Sequence, residues 1–313
     1  MEKRVHIVVV TFNRCELLRE CLQALISQSY ENYMIYLINN ASTDNTEQMI
    51  QNEFSHPNIK YYNTGENLGG AGGFHYGMKK ASQEPSDYIW LMDDDTIVHE
   101  NSLERLTACA ASLGDKFGFL SSNVRFTDGT PCKMNIPTLL QDPKKRGREW
   151  LNQYNPQEEG NILPLGHTTF VSFFVRTAVV REVGLPIKEF FIWADDTEYS
   201  LRVSAKYPCY FCGDSIVTHK MKVNANTSIS DFLNCAEDRL PRYFYAYRNR
   251  FYIARHQGVK KTIFYIGKIF LTTFQILFQA KSGKGAKLKL LWNAFFKGFS
   301  FNPPVEYITS TEA

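Results

Sequence analysis

Val5-His6-Ile7-Val8-Val9-Val10-Thr11-Phe12-Asn13-Arg14 opens with a β-branched run and ends in polar, aromatic and cationic side chains. An apolar run with almost no alternation reads as a strand buried on both faces, as a parallel sheet between helices requires. Outward from it, Leu17, Leu18, Cys21, Leu22, Leu25 and Ile26 recur at helical spacing. Residues 33–38 form a second strand, Thr43 or Asp44 can cap a helix running to about Phe54, and residues 59–62 form a third strand. A glycine-rich turn then leads to a helix over about 73–81, a fourth strand over 88–92, a helix over about 102–113 and a strand over 117–124. The rhythm predicts an α/β fold, a mostly parallel sheet flanked by helices on both faces.

Residues 127–164 break the rhythm with scattered prolines and the run Lys144-Lys145-Arg146-Gly147-Arg148. The stretch reads as a long excursion over the sheet edge, its basic run either a solvated loop or a contact for an anionic acceptor. A strand over 168–175, a helix over 196–206, one or two strands over 210–217 and a long aromatic helix over about 230–256 follow. The chain therefore divides into residues 1–228 and a helical region, 229–313.

Hydrophobic residues make up 44% of the 313 positions and charged residues 21%, which excludes a mainly disordered chain. Aromatics at 14% suffice for a core and for lining a groove around a flat ligand. The net charge of +3 argues against a dedicated nucleic-acid binder. Its placement is uneven: from Val259 onward eight Lys face two Glu, giving +6 on a tail rich in aromatics. Such a tail suits an anionic lipid surface. Residues 262–280 are about long enough to span ~30 Å of bilayer, but Lys268 sits near the middle, at a cost of roughly 2.5–3.5 kcal/mol. Two amphipathic helices lying on the membrane fit better; the alternative is packing on the protein's own body or on a second copy of the chain. The N-terminus passes straight into a strand pattern with no apolar leader, and Cys209 and Cys212 lack a second ligand pair at zinc spacing, their side chains falling on opposite strand faces. Both features fit a reducing cytosol, and with the tail they predict a cytoplasmic protein peripheral on the inner face of the cell membrane.

In open α/β sheets ligands bind beyond the carboxyl ends of the strands, and four polar clusters fall at such ends. The first strand ends in Thr11-Phe12-Asn13-Arg14, the second in Asn39-Asn40-Ala41-Ser42-Thr43-Asp44, side chains able to read a base or ribose or to cap a helix. The third leads to Asn67-Leu68-Gly69-Gly70-Ala71-Gly72-Gly73-Phe74, whose glycines let backbone N–H groups approach an anion. The fourth ends in Asp93-Asp94-Asp95. Three adjacent carboxylates repel one another, and a divalent cation that also binds a diphosphate offsets the repulsion. Further on, an aromatic wall, Phe190-Phe191-Ile192-Trp193, runs into Asp195-Asp196-Thr197-Glu198 at a helix start, a setting for a general base or for helix capping. His219 follows the next strand as a candidate ligand or a structural histidine.

These motifs resemble the inverting family 2 glycosyltransferases of the Rossmann-like GT-A fold. The resemblance rests on Thr11-Phe12-Asn13-Arg14, Asn40 with Ser42-Thr43-Asp44, Asp93–Asp95 and Asp195-Asp196-Thr197-Glu198-Tyr199-Ser200-Leu201-Arg202. The motif at 67–74 is similar to the bacterial galactofuranosyltransferase and rhamnosyltransferase branch. It implies a UDP- or dTDP-sugar donor, a glycan or lipid-linked glycan acceptor, and Mn2+ or Mg2+. Thr11, Phe12, Arg14, Asn40, Gly69, Gly70, Asp93 and Asp94 would form the donor side, with Phe12, Arg14 and Asn40 on the uridine. Asp93, Asp95 and His219 would hold the metal. Asp196, in competition with Asp195, would be the base; Trp193 would stack on the acceptor sugar, and Glu198 and Phe74 would also face substrate. A silent glycan-binding scaffold would have an eroded aspartate triad, and a nucleotidyltransferase would release diphosphate from a nucleoside triphosphate.

Overall fold

In the computed structural model, residues 2–114, 116–140, 150–225 and 228–308 are described; the basic run 144–148 lies outside them. The β-branched run forms β1 (Val5–Thr11), followed by α1 (Cys15–Ile26), β2 (Tyr33–Asn39), α2 (Thr46–Glu53), β3 (Ile59–Asn63), α3 (Gly69–Ala81), β4 (Tyr88–Asp93), β5 (Thr96–Val98), α4 (Ser102–Ser112) and β6 (Phe119–Arg125). The excursion supplies the two-residue β7 (Thr138–Leu139), α5 (Pro156–Glu159) and the start of β8 (Ile162–His167). Then come β9 (Phe173–Arg176), α6 (Thr177–Val183), α7 (Asp195–Ser204), β10 (Cys209–His219), α8 (Ile229–Asn234), α9 (Leu240–His256), α10 (Val259–Gln279) and α11 (Lys284–Ser300).

The main strand path runs β3-β2-β1-β4-β9-β6-β10-β8-β7, with β5 paired to β10. β3, β2, β1 and β4 are parallel neighbours, and β6 pairs parallel with β10. Between these blocks β9 is inserted antiparallel to both β4 and β6, and β8 pairs antiparallel with β10, so the sheet is mixed although β1–β4, β6 and β10 share one direction. The single strand expected over 168–175 is broken: β8 stops at His167, a 3-10 turn occupies Phe170–Ser172, and β9 starts afterwards.

Period-two alternation distributes β1 between two cores. Val5, Ile7 and Val9 pack with α1, α2 and α4, whereas Val8 and Val10 pack with α3, α6 and α7. Cys209 and Cys212 fall in different cores, and all seven cysteines are free thiols. A third core joins α9 to α10 and α11 through Phe251, Tyr265, Ile269, Leu291 and Phe295.

The expected continuous helix over 230–256 is two helices. Ala236 is extended and Pro241 lies in the first turn of α9, where its missing N–H costs nothing. Nor does the tail stay apart. After α11 the chain returns to the body: Phe301 packs beside Phe190 and Tyr252, the Leu185 N–H donates to the Glu306 carbonyl at 2.8 Å, and the Glu306 carboxylate meets Lys79 Nζ at 2.8 Å and His75 Nε2 at 3.0 Å.

Candidate active site

β4 delivers the aspartates at its carboxyl end, beside the end of β1. Asp94 is 3% exposed and ties the two strands together: its carboxylate accepts from the Thr11 hydroxyl at 2.7 Å and from Arg14 at 3.2 Å. Arg14 also donates to Asp95 at 2.5 Å. The antiparallel pairing of β5 with β10 places His219 opposite Thr96, so its Nε2 lies 3.1 Å from Asp95 Oδ1. On the other side of the ring Asn135 Oδ1 accepts from Nδ1–H at 2.7 Å, which aims Nε2 at the carboxylates.

The charges are strained. Burial, reinforced by the charge of Asp95, pushes Asp93 up to about 7, and burial pushes Asp94 up to about 6 against the pull of Arg14. Burial also works against ionised Asp95, but His219 and Arg14 outweigh it and hold this carboxyl below its ordinary range. Burial disfavours the His219 imidazolium, yet the Asp95 carboxylate 3.1 Å away, the Cys132 thiol and the nearby aspartate charges raise it to about 10. One ligand atom from each of Asp93, Asp95 and His219 lies within 4.8 Å of the others. Asp95 Oδ1 is buried with no hydrogen bond aimed at it, His219 being close but off line. Two carboxylate oxygens and an imidazole nitrogen, one oxygen orphaned, fit a hard divalent cation such as Mn2+ or Mg2+.

One donor-side expectation changes. Arg14 bridges Asp94 and Asp95 and so sets the carboxylates, yet its side chain is 49% exposed and, like Phe12 at 39%, remains open to a ligand. Asn40 is 2% exposed: its amide donates to the Gly69 carbonyl at 2.9 Å and accepts from the Leu68 N–H at 3.0 Å, so it shapes the glycine segment instead of facing uridine. Asn13, Ser42 and Asp44 latch neighbouring loops, with Asn13 Oδ1 accepting from the Thr43 N–H at 2.7 Å and Ser42 Oγ from the Asn13 N–H at 2.9 Å. Asp44 accepts from the N–H groups of Cys15 and Thr46, each at 3.1 Å.

The glycine segment is not a turn preceding a helix at 73; it is the first turn of α3, which starts at Gly69. A Cβ on Gly73 would lie 2.5 Å from Val10 Cγ1, so that glycine seats α3 on β1. Gly70 faces open space. Phe74 is 3% exposed against Phe170, a core residue and not a substrate contact.

Across the site, Phe191, Trp193 and Ala194 all have positive φ, at 62°, 66° and 69°, before α7 begins at Asp195. Gly69 is required there: its φ is +72° and a Cβ would lie 2.1 Å from the Phe191 carbonyl oxygen. Asp195 is 8% exposed while Asp196 is half-buried. Burial raises both carboxyls, and the charge of Asp196 raises Asp195 further. Asp196 Oδ1 accepts from the Thr197 N–H at 2.6 Å. The Trp193 ring meets Tyr243 edge-on at 5.3 Å, and Phe191 stacks on Tyr245 at 4.9 Å. Glu198 is held by two 2.9 Å bonds from Arg202, which also donates to the carbonyls of Val183 and Leu185; it braces α7 and is not available to substrate.

Reading the sequence misses Asn135, which orients His219, and Asn249 and Glu306, which brace the site from the helical region. Asn249 carries a faint signal, an amide inside an aromatic helix; Asn135 and Glu306 carry none.

A helix-flanked sheet bearing an acidic-imidazole triad at its strand ends, opposite a carboxylate pair at a helix start, defines a GT-A glycosyltransferase. The sequence profile described as glycosyl transferase family 2 matches residues 6–182, more than half of the chain, and the protein belongs to this family. Galactofuranosyltransferase GlfT1 of Mycolicibacterium smegmatis is 27% identical over 267 residues, 82% of this chain and 84% of the relative. Among solved structures, GalNAc-T7 with UDP, GalNAc and Mn2+ superposes with a TM-score of 0.61 at 15% identity, covering 95% of this chain and 56% of that one. The mannosyltransferase PcManGT from Pyrobaculum calidifontis, with GDP-Man and Mn2+, gives 0.57 at 13% identity, covering 97% and 77%.

Proposed function

We propose that the protein transfers galactofuranose from UDP-galactofuranose, with inversion, onto a lipid-linked glycan during bacterial surface polysaccharide synthesis. The sugar is suggested by the likeness to a galactofuranosyltransferase along most of both chains. The observation carrying the chemistry is the convergence of Asp93, Asp95 and His219, with Asp95 Oδ1 lacking an aligned hydrogen bond, near enough to Asp195 for the charge of Asp93 to act on it. The triad would hold Mn2+ or Mg2+, and such an ion when bound supplies positive charge to a leaving diphosphate.

The chain's own groups do the rest. Exposed Phe12 offers a face to the uracil ring, and the open backbone at Gly70 leaves room for the donor. Trp193, braced by Tyr243, offers its ring to the acceptor sugar. Asp196, the more accessible of the two carboxylates, takes the proton from the acceptor hydroxyl as that oxygen bonds to the anomeric carbon from the face opposite the departing UDP. One displacement leaves the anomeric centre inverted. The test is incubation of pure protein and Mn2+ with a panel of sugar nucleotides and glycan acceptors. UDP release and product with UDP-galactofuranose are expected; turnover with dTDP-rhamnose alone would move the protein to a rhamnosyl donor.

The proposal includes peripheral attachment to the cytoplasmic face of the membrane. α10 has the length and composition of a membrane span, yet it packs one face through Tyr265, Ile269, Thr272 and Ile276 and exposes Ile263, Phe264, Phe270, Leu271, Phe274 and Phe278 on the other. Seven of the eight tail lysines are exposed, and each is worth about 1 kcal/mol near anionic lipid. Because residues 301–306 pack on the body, the test uses the whole chain: it should float with anionic vesicles, less so in high salt, and the combined Phe264→Ser, Phe274→Ser and Phe278→Ser variant should not. Equal partitioning of the two would assign that face to a second copy of the chain.

A further inference from the structure

Residues 190–194 are an unusual piece of backbone. Three non-glycine residues in the left-handed region sit within four positions, where no regular ladder can pair every carbonyl. The carbonyls of Ile192 and Trp193, and that of Phe190 beside its short bond from the Ile192 N–H, converge on one side chain. Asn249, completely buried on α9, donates from Nδ2 to the carbonyl oxygens of Phe190 at 2.9 Å, Ile192 at 3.2 Å and Trp193 at 2.9 Å. An amide nitrogen has two hydrogens, so at least one is shared. Arg248 fixes which way the amide points: its Nε and Nη2 donate to Asn249 Oδ1 at 3.0 and 2.9 Å, and Nη2 also donates to the Glu189 carbonyl at 2.6 Å.

The consequence runs directly into the site. The next peptide carbonyl, that of Ala194, accepts the opening helical bond of α7 from the Glu198 N–H at 2.9 Å, and Asp195 and Asp196 occupy that first turn. On the loop's other flank the Phe191 carbonyl accepts from the Ala71 N–H at 3.1 Å. We infer that Asn249 is a positioning residue for glycosyl transfer: by gripping the 190, 192 and 193 carbonyls it holds the left-handed loop that aims Trp193 and Asp196 at the acceptor. This rests on the reading of Asp196 as the base.

The test compares Asn249→Ala with wild type in kcat and KM for acceptor and donor, UDP affinity, acceptor-independent donor hydrolysis and thermal melting. The expected result is a kcat for transfer at least tenfold lower, with donor KM, UDP affinity and hydrolysis within twofold. A merely structural role would instead lower the melting temperature and folded fraction while leaving kcat per folded molecule unchanged, and that result overturns the proposal. Adding Ala194→Gly, which removes the conformational penalty at one left-handed position, should recover threefold or more of the lost kcat; no recovery also counts against it. Should Asn249→Ala not fold, Asn249→Ser, too short to reach three carbonyls, is judged by the same kcat criterion. Full activity of Asp196→Asn overturns the base reading beneath the proposal, whereas inactive Asp196→Asn beside fully active Asn249→Ala overturns the clamp alone.

Discussion

The loop after β4 and the loop before α7 both bring carboxylates to the site, but they are held in opposite ways. Asp94 and Asp95 are set by charge: Thr11 and Arg14 from the neighbouring strand end bond to the side chains themselves, and His219 from β10 lies 3.1 Å from Asp95. Asp195 and Asp196 are set by backbone: the grip falls on main-chain carbonyls at 190–193, and the acids follow as the first turn of a helix. On the proposed function, a cluster that would hold a metal is built to compensate its own repulsion, whereas a group that would accept a proton is built to be aimed.

The largest effect should come from breaking the charge-held side. Asp93→Ala or Asp95→Ala, or EDTA on the wild type, is expected to lower UDP-releasing transfer by about a thousandfold or more, following the scale of lost electrostatic stabilisation; unchanged turnover in EDTA would sink the metal reading. On the backbone-held side, Asp196→Asn should cut transfer by about 10²–10⁴-fold while UDP still binds in a titration. If Asp195→Asn does this and Asp196→Asn does not, the aimed group is the buried neighbour. Where the two sides touch, Gly69→Ala drives a Cβ into the Phe191 carbonyl at positive φ and should destabilise the fold by roughly 1–3 kcal/mol. Gly70→Ala, with nothing within 4 Å of its Cβ, should melt within a degree or two of wild type and report only on donor KM.

The smallest effect concerns Glu306. Its hydrogen bond from Lys79, with His75 and Lys188 nearby, holds its carboxyl below the ordinary range. A carboxyl depressed by folding stabilises above its unfolded value and loses that contribution as pH falls through its folded value. Glu306→Gln should therefore cost at most about 1 kcal/mol at neutral pH, and its melting curve should merge with the wild type's in acid below the normal glutamate range. A gap that persists there would mean that the end of the chain is held by packing rather than by charge.

What could be read from the sequence follows the same division. The β1–β4 rhythm and the aspartate run were legible because their causes are local: a period-two apolar pattern and like charges in adjacent positions. The glycines at 67–74 misled because glycine marks any close approach, and two of these approaches are to Val10 and to the Phe191 carbonyl, not to a ligand. Phe74 and Glu198 face substrate only by what the resemblance implies, and their partners, Phe170 and Arg202, become visible only with packing. Asn249 lies 59 positions from the Phe190 carbonyl it holds, and Glu306 lies 231 from His75. No pattern along the chain encodes contacts of that span when each end is a single polar residue.

The return of residues 301–306 to the catalytic body also orders events in time. Glu306 braces α3 through His75 and Lys79, and Phe301 closes over Phe190 at the root of the strained loop. At roughly 5–20 residues per second of synthesis, these residues emerge on the order of ten seconds after β10, the last strand. Throughout that interval the sheet and its aspartates are made, but the loop at 190–194 lacks its last support. The aromatic face of α10, which is complete by residue 279, precedes that support out of the ribosome. A nascent chain therefore presents that face before the 190–194 loop has its last support.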